Sequence, residues 1–381
     1  MRRLTTPLLA LVGGMVGLWG GPIPLTGTGA APGTVAADTA GRRLYEDACA
    51  NCHGIDGAGV PSARLGLDVP LPDFTDCNFA SREPDADWVA VAHEGGPTRG
   101  FSDAMPAFGD ALTVEQLQRI MDYVRTFCGD AGWPRGELNL PRPFVTEKAY
   151  PEDEAVLTAD AAAEGPGEVA GELVYEKRFG ARNQLELVVP FAVRDRDEVG
   201  EDWSAGLGDV AVGVKRDLFH SFEAGSILSV AGEFILPTGD EANGFGSGTV
   251  VFEPFASFGQ LLPADAFVHA QAGIELPFDS DRAEREAFWR AVLGRTWASG
   301  PRGFGRAWSP MVEVLAGREL ESGASTAWDL LPQIQVTLNT RQHVMANVGV
   351  RIPVTDADTR ETRILVYILW DWFDGDFFAG W

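Results

Sequence analysis

Two cysteines lie three positions apart near the start of the chain, in ACANCHG, with a histidine directly behind the second. Cys49, Cys52 and His53 have the C-x-x-C-H spacing at which two thiols bond covalently to a haem and the histidine reaches its iron. A four-thiolate zinc site would need a second close pair of cysteines, but Cys77 and Cys128 lie far apart. A thioredoxin-type redox pair would need a strand–helix–strand setting, whereas GRRLYEDAC has helical periodicity. The motif therefore predicts a c-type haem.

A second haem ligand is expected downstream, in GFSDAMPAFGDALT. Met105 directly precedes Pro106, and a residue before proline is held extended, so the loop is stiff and its thioether has a fixed direction. His93 and Met121 are alternative ligands, and an open site is a further alternative. Met121 lies on the apolar stripe of the helix predicted in LTVEQLQRIMDYVRTF, which favours a place in the core. Met105 is the ligand that the sequence favours.

Residues 39–128 as a whole resemble the class I cytochrome c domain. The resemblance includes the helix before CANCHG, the glycine-rich loop behind it, the methionine loop and the closing helix. It implies an all-α domain with one covalent haem c, held axially by His53 and Met105. Such a closed site transfers one electron and turns over no substrate, so the resemblance implies an electron-transfer protein rather than an enzyme.

Two cysteines remain outside the haem motif, Cys77 and Cys128. In an oxidising compartment a leftover pair suggests a disulfide, which would tie the loop LPDFTDCNF to the end of the last helix. Two separate buried thiols are the alternative. The disulfide is favoured, with a structural role and no catalysis.

The first residues, MRRLTTPLLALVGGMVGLWGG, place two arginines before an apolar run, and the small-residue stretch GTGAAPGTVAA follows. This order predicts a secretory signal over residues 1–37, cleaved near Ala37. An uncleaved membrane anchor is the alternative, although glycines interrupt the run and it is short for a spanning helix. Export would bring the chain to a compartment where disulfides persist.

Composition limits the classes of partner. The chain has 381 residues, 45% of them hydrophobic, which allows two or three domains with packed cores. Fifty-five acidic residues against 30 basic ones give a formal net charge of −25, which argues against nucleic acid as a partner. Cationic partners and a merely solvated acidic surface both remain open.

The rest of the chain changes character after the cytochrome-like region, which we place at 38–130. Residues 131–165 mix proline, alanine and acidic residues without a period, and we expect a linker there. Residues 166–381 alternate apolar and polar positions, as in NQLELVVPF, DVAVGVK, FVHAQAGIEL, LPQIQVTLN and QHVMANVGVRI. This strict period of two predicts strands.

A transmembrane β-barrel of roughly 12 antiparallel strands is favoured over a periplasmic β-sandwich. The segments have the length that a tilted strand needs to cross a bilayer. Aromatic residues cluster at the segment ends, as an interfacial girdle requires, and the chain finishes on Trp381. These aromatic residues are Phe191, Phe219, Trp289, Trp297, Trp308, Trp328, Trp370 and Trp372. The region resembles outer-membrane barrel families of the transporter or aromatic-pathway type.

Several charged residues occupy the polar face of the predicted strands. They are Glu186, Asp209, Glu233, Glu275, Glu313 and Arg351. They could line a lumen, or they could bond to one another in a packed, plugged barrel, because a barrel of this strand number is narrow. Both interpretations stay open.

The complete plan resembles the fused cytochrome-porins of iron-oxidising bacteria, in which an extracellular donor is oxidised at the outer membrane. The barrel segment of this chain is shorter than the large porin of those proteins. The resemblance implies one-electron transfer at the outer membrane, with the cytochrome domain on the periplasmic side and periplasmic cytochromes or other redox proteins as partners. A porin or transporter with a tethered haem domain, and a soluble periplasmic carrier with a β-rich docking domain, are the alternatives.

Overall fold

The computed structural model describes residues 39–163, 167–195, 203–298, 305–340 and 343–371. The predicted signal segment 1–37, Trp372 and Trp381 lie outside these ranges. Within them, no helix is both long and apolar enough to cross a bilayer.

The N-terminal part is a small helical domain. Its helices are α1 Thr39–Ala48, α2 Ala50–His53, α3 Ser62–Leu65, α4 Cys77–Ala80, α5 Asp85–Glu94 and α6 Val114–Val124, and a 3₁₀ turn covers Gly96–Arg99. Helix α6 begins at a capping box, because the Thr113 side chain accepts the N–H of Gln116 and the Gln116 side chain accepts the N–H of Thr113. Its apolar face packs on α1 around a core of Tyr45, Ala92, Leu117, Ile120, Met121 and Val124.

The larger part is an antiparallel sheet closed into a barrel. Its strands are β1 Glu154–Ala162, β2 Glu168–Phe179, β3 Asn183–Asp195, β4 Trp203–Leu207, β5 Val210–Ser221, β6 Ser226–Leu236, β7 Val251–Leu262, β8 Ala266–Pro277, β9 Glu286–Arg295, β10 Trp297–Ala298, β11 Ala307–Glu319, β12 Ala327–Thr337, β13 Val344–Pro353 and β14 Arg363–Asp371. Short 3₁₀ turns cover Gly136–Leu138, Glu241–Asn243 and Pro263–Asp265.

Twelve of these strands form the wall, each paired with its neighbour along the chain. The pair of β1 with β14 and the pair of β9 with β11 close the ring. Strands β4 and β10 are short additions that pair with β3 and β11. The predicted barrel of about 12 strands is therefore confirmed, and the β-sandwich alternative is wrong, because a sandwich has open sheet edges.

The two faces of the wall are inverted relative to a water-soluble protein. Leu157, Leu173 and Leu185 are 51%, 45% and 47% exposed on the outside, while Gln184 and Gln271 are buried inside. Leu185 and Gln184 are neighbours in β3, so one strand shows both faces, as the period of two requires. An outer apolar face and an inner polar face are typical of a barrel that sits in lipid.

Exposed aromatic side chains lie towards both ends of the wall. Phe179, Phe219, Phe222 and Trp297 lie at the end where β1 begins, and Trp203, Phe234, Phe278 and Trp289 lie towards the opposite end. Aromatic rings at two levels match the two interfaces of a bilayer.

The segment between the two domains lies inside the barrel. We call residues 139–153 the plug segment. Its backbone bonds to inward-facing side chains on strands around the ring: Glu313 on β11, Gln271 on β8, Tyr367 on β14, Ser229 on β6 and Gln184 on β3. Strand β1 begins at Glu154, inside the region 131–165 where we expected a linker. The backbone of a solvated linker forms its hydrogen bonds with water, whereas the backbone of the plug segment forms them with side chains of the lumen wall.

Candidate functional site

The C-x-x-C-H motif lies at the junction of α1 and α2. Cys49 precedes α2, and Cys52 and His53 lie on it. The Tyr45 hydroxyl, fully buried, donates a hydrogen bond to the Gly54 carbonyl at 2.6 Å and so ties α1 to the end of the motif. Both motif cysteines are half-buried thiols that form no disulfide. Burial, with the neighbouring Cys52, raises the pKa of the Cys49 thiol to about 11, which keeps it neutral.

His53 has the chemistry of a metal ligand. Burial lowers the pKa of its imidazole to about 4, so the ring is neutral at pH 7. Its Nδ1 is buried and has no hydrogen-bond partner among the described residues. The ring stacks on Phe74 with the centroids 5.0 Å apart. A neutral imidazole in a fixed orientation is the form that binds a metal.

The loop of Met105 folds back on the end of α5. The Gly96 N–H donates to the Met105 carbonyl at 3.0 Å, and the Phe101 N–H donates to the Gly96 carbonyl at 3.0 Å. A Cβ at Gly96 would lie 2.1 Å from the Ser102 carbonyl oxygen, so only glycine allows this close approach. Met105 is half-buried against the same apolar core that Cys49 contacts.

The two alternative ligands make other contacts. His93 Nδ1 bonds to Glu94 Oε1 at 2.6 Å, and its side chain is 35% exposed. Met121 is only 7% exposed and belongs to the core of the helical domain. Cys49 and Met105 pack on one apolar core, and His53 stacks on Phe74, which packs on the same core. The donor set of two thiols, a neutral imidazole and a thioether fits a covalent haem. The choice of Met105 as sixth ligand stays a prediction.

The remaining cysteine pair is joined. Cys77, the first residue of α4, forms a disulfide with Cys128 behind α6, with the Cα atoms 5.1 Å apart. The bond ties α4 to the chain behind α6 and closes a loop with a sequence separation of 51. Its role is therefore structural.

Ion pairs fasten the helical domain to the barrel. Arg306, 2% exposed just before β11, donates to Asp87 Oδ1 on α5 at 2.8 Å and to the Thr340 carbonyl at 2.6 Å. Arg82, behind α4, pairs with Asp153 at the end of the plug segment. Sequence reasoning missed these residues, because single charges in loops give no periodic signal. The density of charged residues in EKAYPEDE was the sequence feature that could have indicated ion pairs between this segment and the rest of the protein.

Comparison with protein families agrees with the helical domain. Residues 36–124 match the family described as cytochrome C oxidase, cbb3-type, subunit III. The predicted resemblance of this region to a cytochrome c domain is therefore confirmed. No curated protein matches the chain in sequence.

Solved structures resemble the barrel. An outer membrane channel from Pseudomonas putida F1 is 15% identical with a TM-score of 0.43, and the match covers 61% of this chain and 100% of the channel. The NanC porin is 8% identical with a TM-score of 0.40, covering 57% of this chain and 99% of the porin. The KdgM porin is 10% identical with a TM-score of 0.38 over the same shares, 57% and 99%. In architecture this part of the chain is similar to outer membrane channels and porins.

Proposed function

We propose that this protein transfers single electrons at the outer membrane through one covalently bound haem c. Cys49 and Cys52 would hold the haem by thioether bonds, and His53 and Met105 would ligate its iron. The haem supplies a one-electron couple, and the protein keeps the imidazole neutral and oriented. The observation that carries the proposal is the half-buried, neutral His53, with its Nδ1 buried, within a C-x-x-C-H motif in a domain fastened to a barrel.

The ligand assignment is tested by two matched substitutions. Met105→Leu should abolish the weak methionine-to-iron absorption in the far red and lower the reduction potential, because a thioether ligand favours the reduced iron. Met121→Leu, the same change in the core of the domain, should leave the band in place. If the band survives Met105→Leu, another residue is the ligand.

The length of the connections supports a periplasmic position for the haem domain. At the end of the barrel where the domain is attached, the turns at 180–182, 222–225 and 263–265 are short, whereas the connection at 296–306 spans 11 residues. At the opposite end the connections at 237–250, 278–285 and 354–362 are longer. Outer-membrane barrels have short periplasmic turns and longer extracellular loops. The domain would then exchange electrons with periplasmic cytochromes or other redox proteins.

The plug segment favours an anchor or scaffold over an open pore. The hydrocarbon slab is about 30 Å thick, which is too wide for one haem at the periplasmic mouth to reach a donor outside. A donor on the far side would therefore need a second redox carrier.

The observation that favours the porin alternative is a cavity of about 580 Å³ between the plug segment and the long loops.

One set of measurements tests the outer-membrane location, the haem content and the barrel fold of the protein together. Membrane fractionation with haem staining and a heat-modifiability gel should give a haem-positive, heat-modifiable band in the outer membrane fraction. Recovery of the stained band in the soluble periplasm would contradict the barrel location. Solute conductance in reconstituted bilayers that is unaffected by removal of residues 38–128 would favour the porin alternative.

A further inference from the structure

Three carboxylates meet inside the barrel, where the plug segment touches the wall. Glu147 belongs to the plug segment, Glu176 to β2 and Glu186 to β3. One oxygen from each lies within 4.8 Å of the others. Glu176 is fully buried and Glu186 is 8% exposed, and Glu147 and Glu186 also line the cavity between the plug segment and the long loops.

The oxygens of this cluster are incompletely bonded. Arg142 Nη1 donates to Glu176 Oε1 at 3.0 Å and the Glu186 carboxyl bonds to the Glu176 carboxylate, but Glu176 Oε2 is buried and receives no hydrogen bond from a basic, amide or hydroxyl group among the described residues. Glu147 Oε2 is likewise buried without a donor. Arg142 Nη2 bonds to the other oxygen of Glu147 at 3.4 Å, whereas Lys215 Nζ lies 3.9 Å from Oε2 and makes no hydrogen bond within the described part of the chain. Buried carboxylate oxygens without donors are costly unless another positive charge meets them.

The charges around the cluster do not balance. The carboxylates of this connected network are Glu147, Glu152, Glu154, Glu176, Glu186 and Glu233, and the cations are Arg142, Lys148 and Lys215. Six carboxylates against three cations leave three negative charges without compensation. One divalent cation with one bound proton, or three bound protons, would restore neutrality.

We infer that Glu147, Glu176 and Glu186 bind a hard divalent cation of the calcium type, which bridges the plug segment to the wall. Calcium takes carboxylate oxygens at about 2.4 Å, so oxygens on opposite sides of the ion are about 4.8 Å apart. Three carboxylate oxygens that lie within 4.8 Å of one another can meet around one such ion. Magnesium, at about 2.1 Å, requires a tighter octahedron. A bound cation would hold strands β2 and β3 to a segment that has no backbone pairing with them at this point.

The inference is tested with Ca²⁺ on the full-length holoprotein in detergent, after treatment with a chelator. Isothermal titration should show one Ca²⁺ per chain, and Ca²⁺ should raise the temperature of the heat-modifiability shift. Glu147→Gln and Glu186→Gln should each weaken Ca²⁺ binding by about tenfold or more, because ligand charge sets affinity at such sites. Glu172→Gln is the matched control, since Glu172 lies on β2 and lines the same lumen but is outside the cluster.

Two outcomes would overturn the inference. If the wild-type protein binds no Ca²⁺, protons neutralise the cluster instead. If Glu172→Gln weakens binding as much as Glu147→Gln does, Ca²⁺ responds to the general charge of the lumen rather than to this site. The haem spectrum should be the same in all variants, so the result is independent of the function proposed above.

Discussion

The plug segment should leave the lumen more often when Glu313, the side chain that accepts most of its hydrogen bonds on β11, is replaced. Glu313, fully buried on β11, accepts the backbone N–H of Phe144 at 2.7 Å and that of Thr146 at 3.0 Å. It also accepts the Thr146 hydroxyl at 2.9 Å and the Val145 N–H at 3.3 Å. Substitution Glu313→Ala removes the acceptor of these four donors of the plug segment at once.

The magnitude follows from these four bonds. Each buried donor left without an acceptor costs about 1 kcal/mol when water can partly replace the bond, so the loss is about 4 kcal/mol in total. Because each 1.4 kcal/mol is about tenfold in an equilibrium, the ratio of displaced to inserted plug should rise by roughly a thousandfold. Glu313→Gln keeps one carbonyl oxygen and should give an intermediate shift.

The assay is single-channel conductance of the full-length protein in planar bilayers. The wild type should stay closed, and Glu313→Ala should show frequent openings. Glu275→Ala, on the loop side of β8, is the control for removal of a lumen charge and should stay closed. Haem staining and heat modifiability should show that each variant is folded. Wild-type conductance equal to that of Glu313→Ala would refute the idea that the plug segment closes the barrel.

Two further predictions concern the helical domain. Replacing both Cys77 and Cys128 with serine should lower the unfolding free energy of the domain by about 4 kcal/mol, because the disulfide closes a loop with a sequence separation of 51. Chemical denaturation followed by the haem band measures this loss, and an unchanged midpoint would contradict it. Arg306→Ala should speed amide hydrogen exchange in α5, because Asp87 loses a buried charged partner worth about 1.5–3 kcal/mol, while the heat-modifiability shift of the barrel stays the same. Equal exchange in the wild type and in Arg306→Ala would show that this contact does not hold the helical domain to the barrel.

The local features of the chain were predictable because their signals are local. In β3 the alternation of Gln184 with Leu185 follows from the geometry of a strand, so the sequence predicts both faces before any partner strand is known. The haem motif is equally local, since Cys49, Cys52 and His53 lie within one turn and its flanks. The capping residues of α6 fix its start for the same reason.

The sequence by itself determined the two architectures and the candidate haem ligands, because short-range periodicity and spacing encode them. Only the tertiary structure decided where residues 139–153 lie, since that segment has no period and its partners are remote. The Tyr367 hydroxyl donates to the Arg142 carbonyl across 225 positions of sequence, and Thr146 meets Glu313 across 167. Such bonds exist only once the ring of strands has closed around the segment, and the carboxylate cluster of Glu147 exists for the same reason.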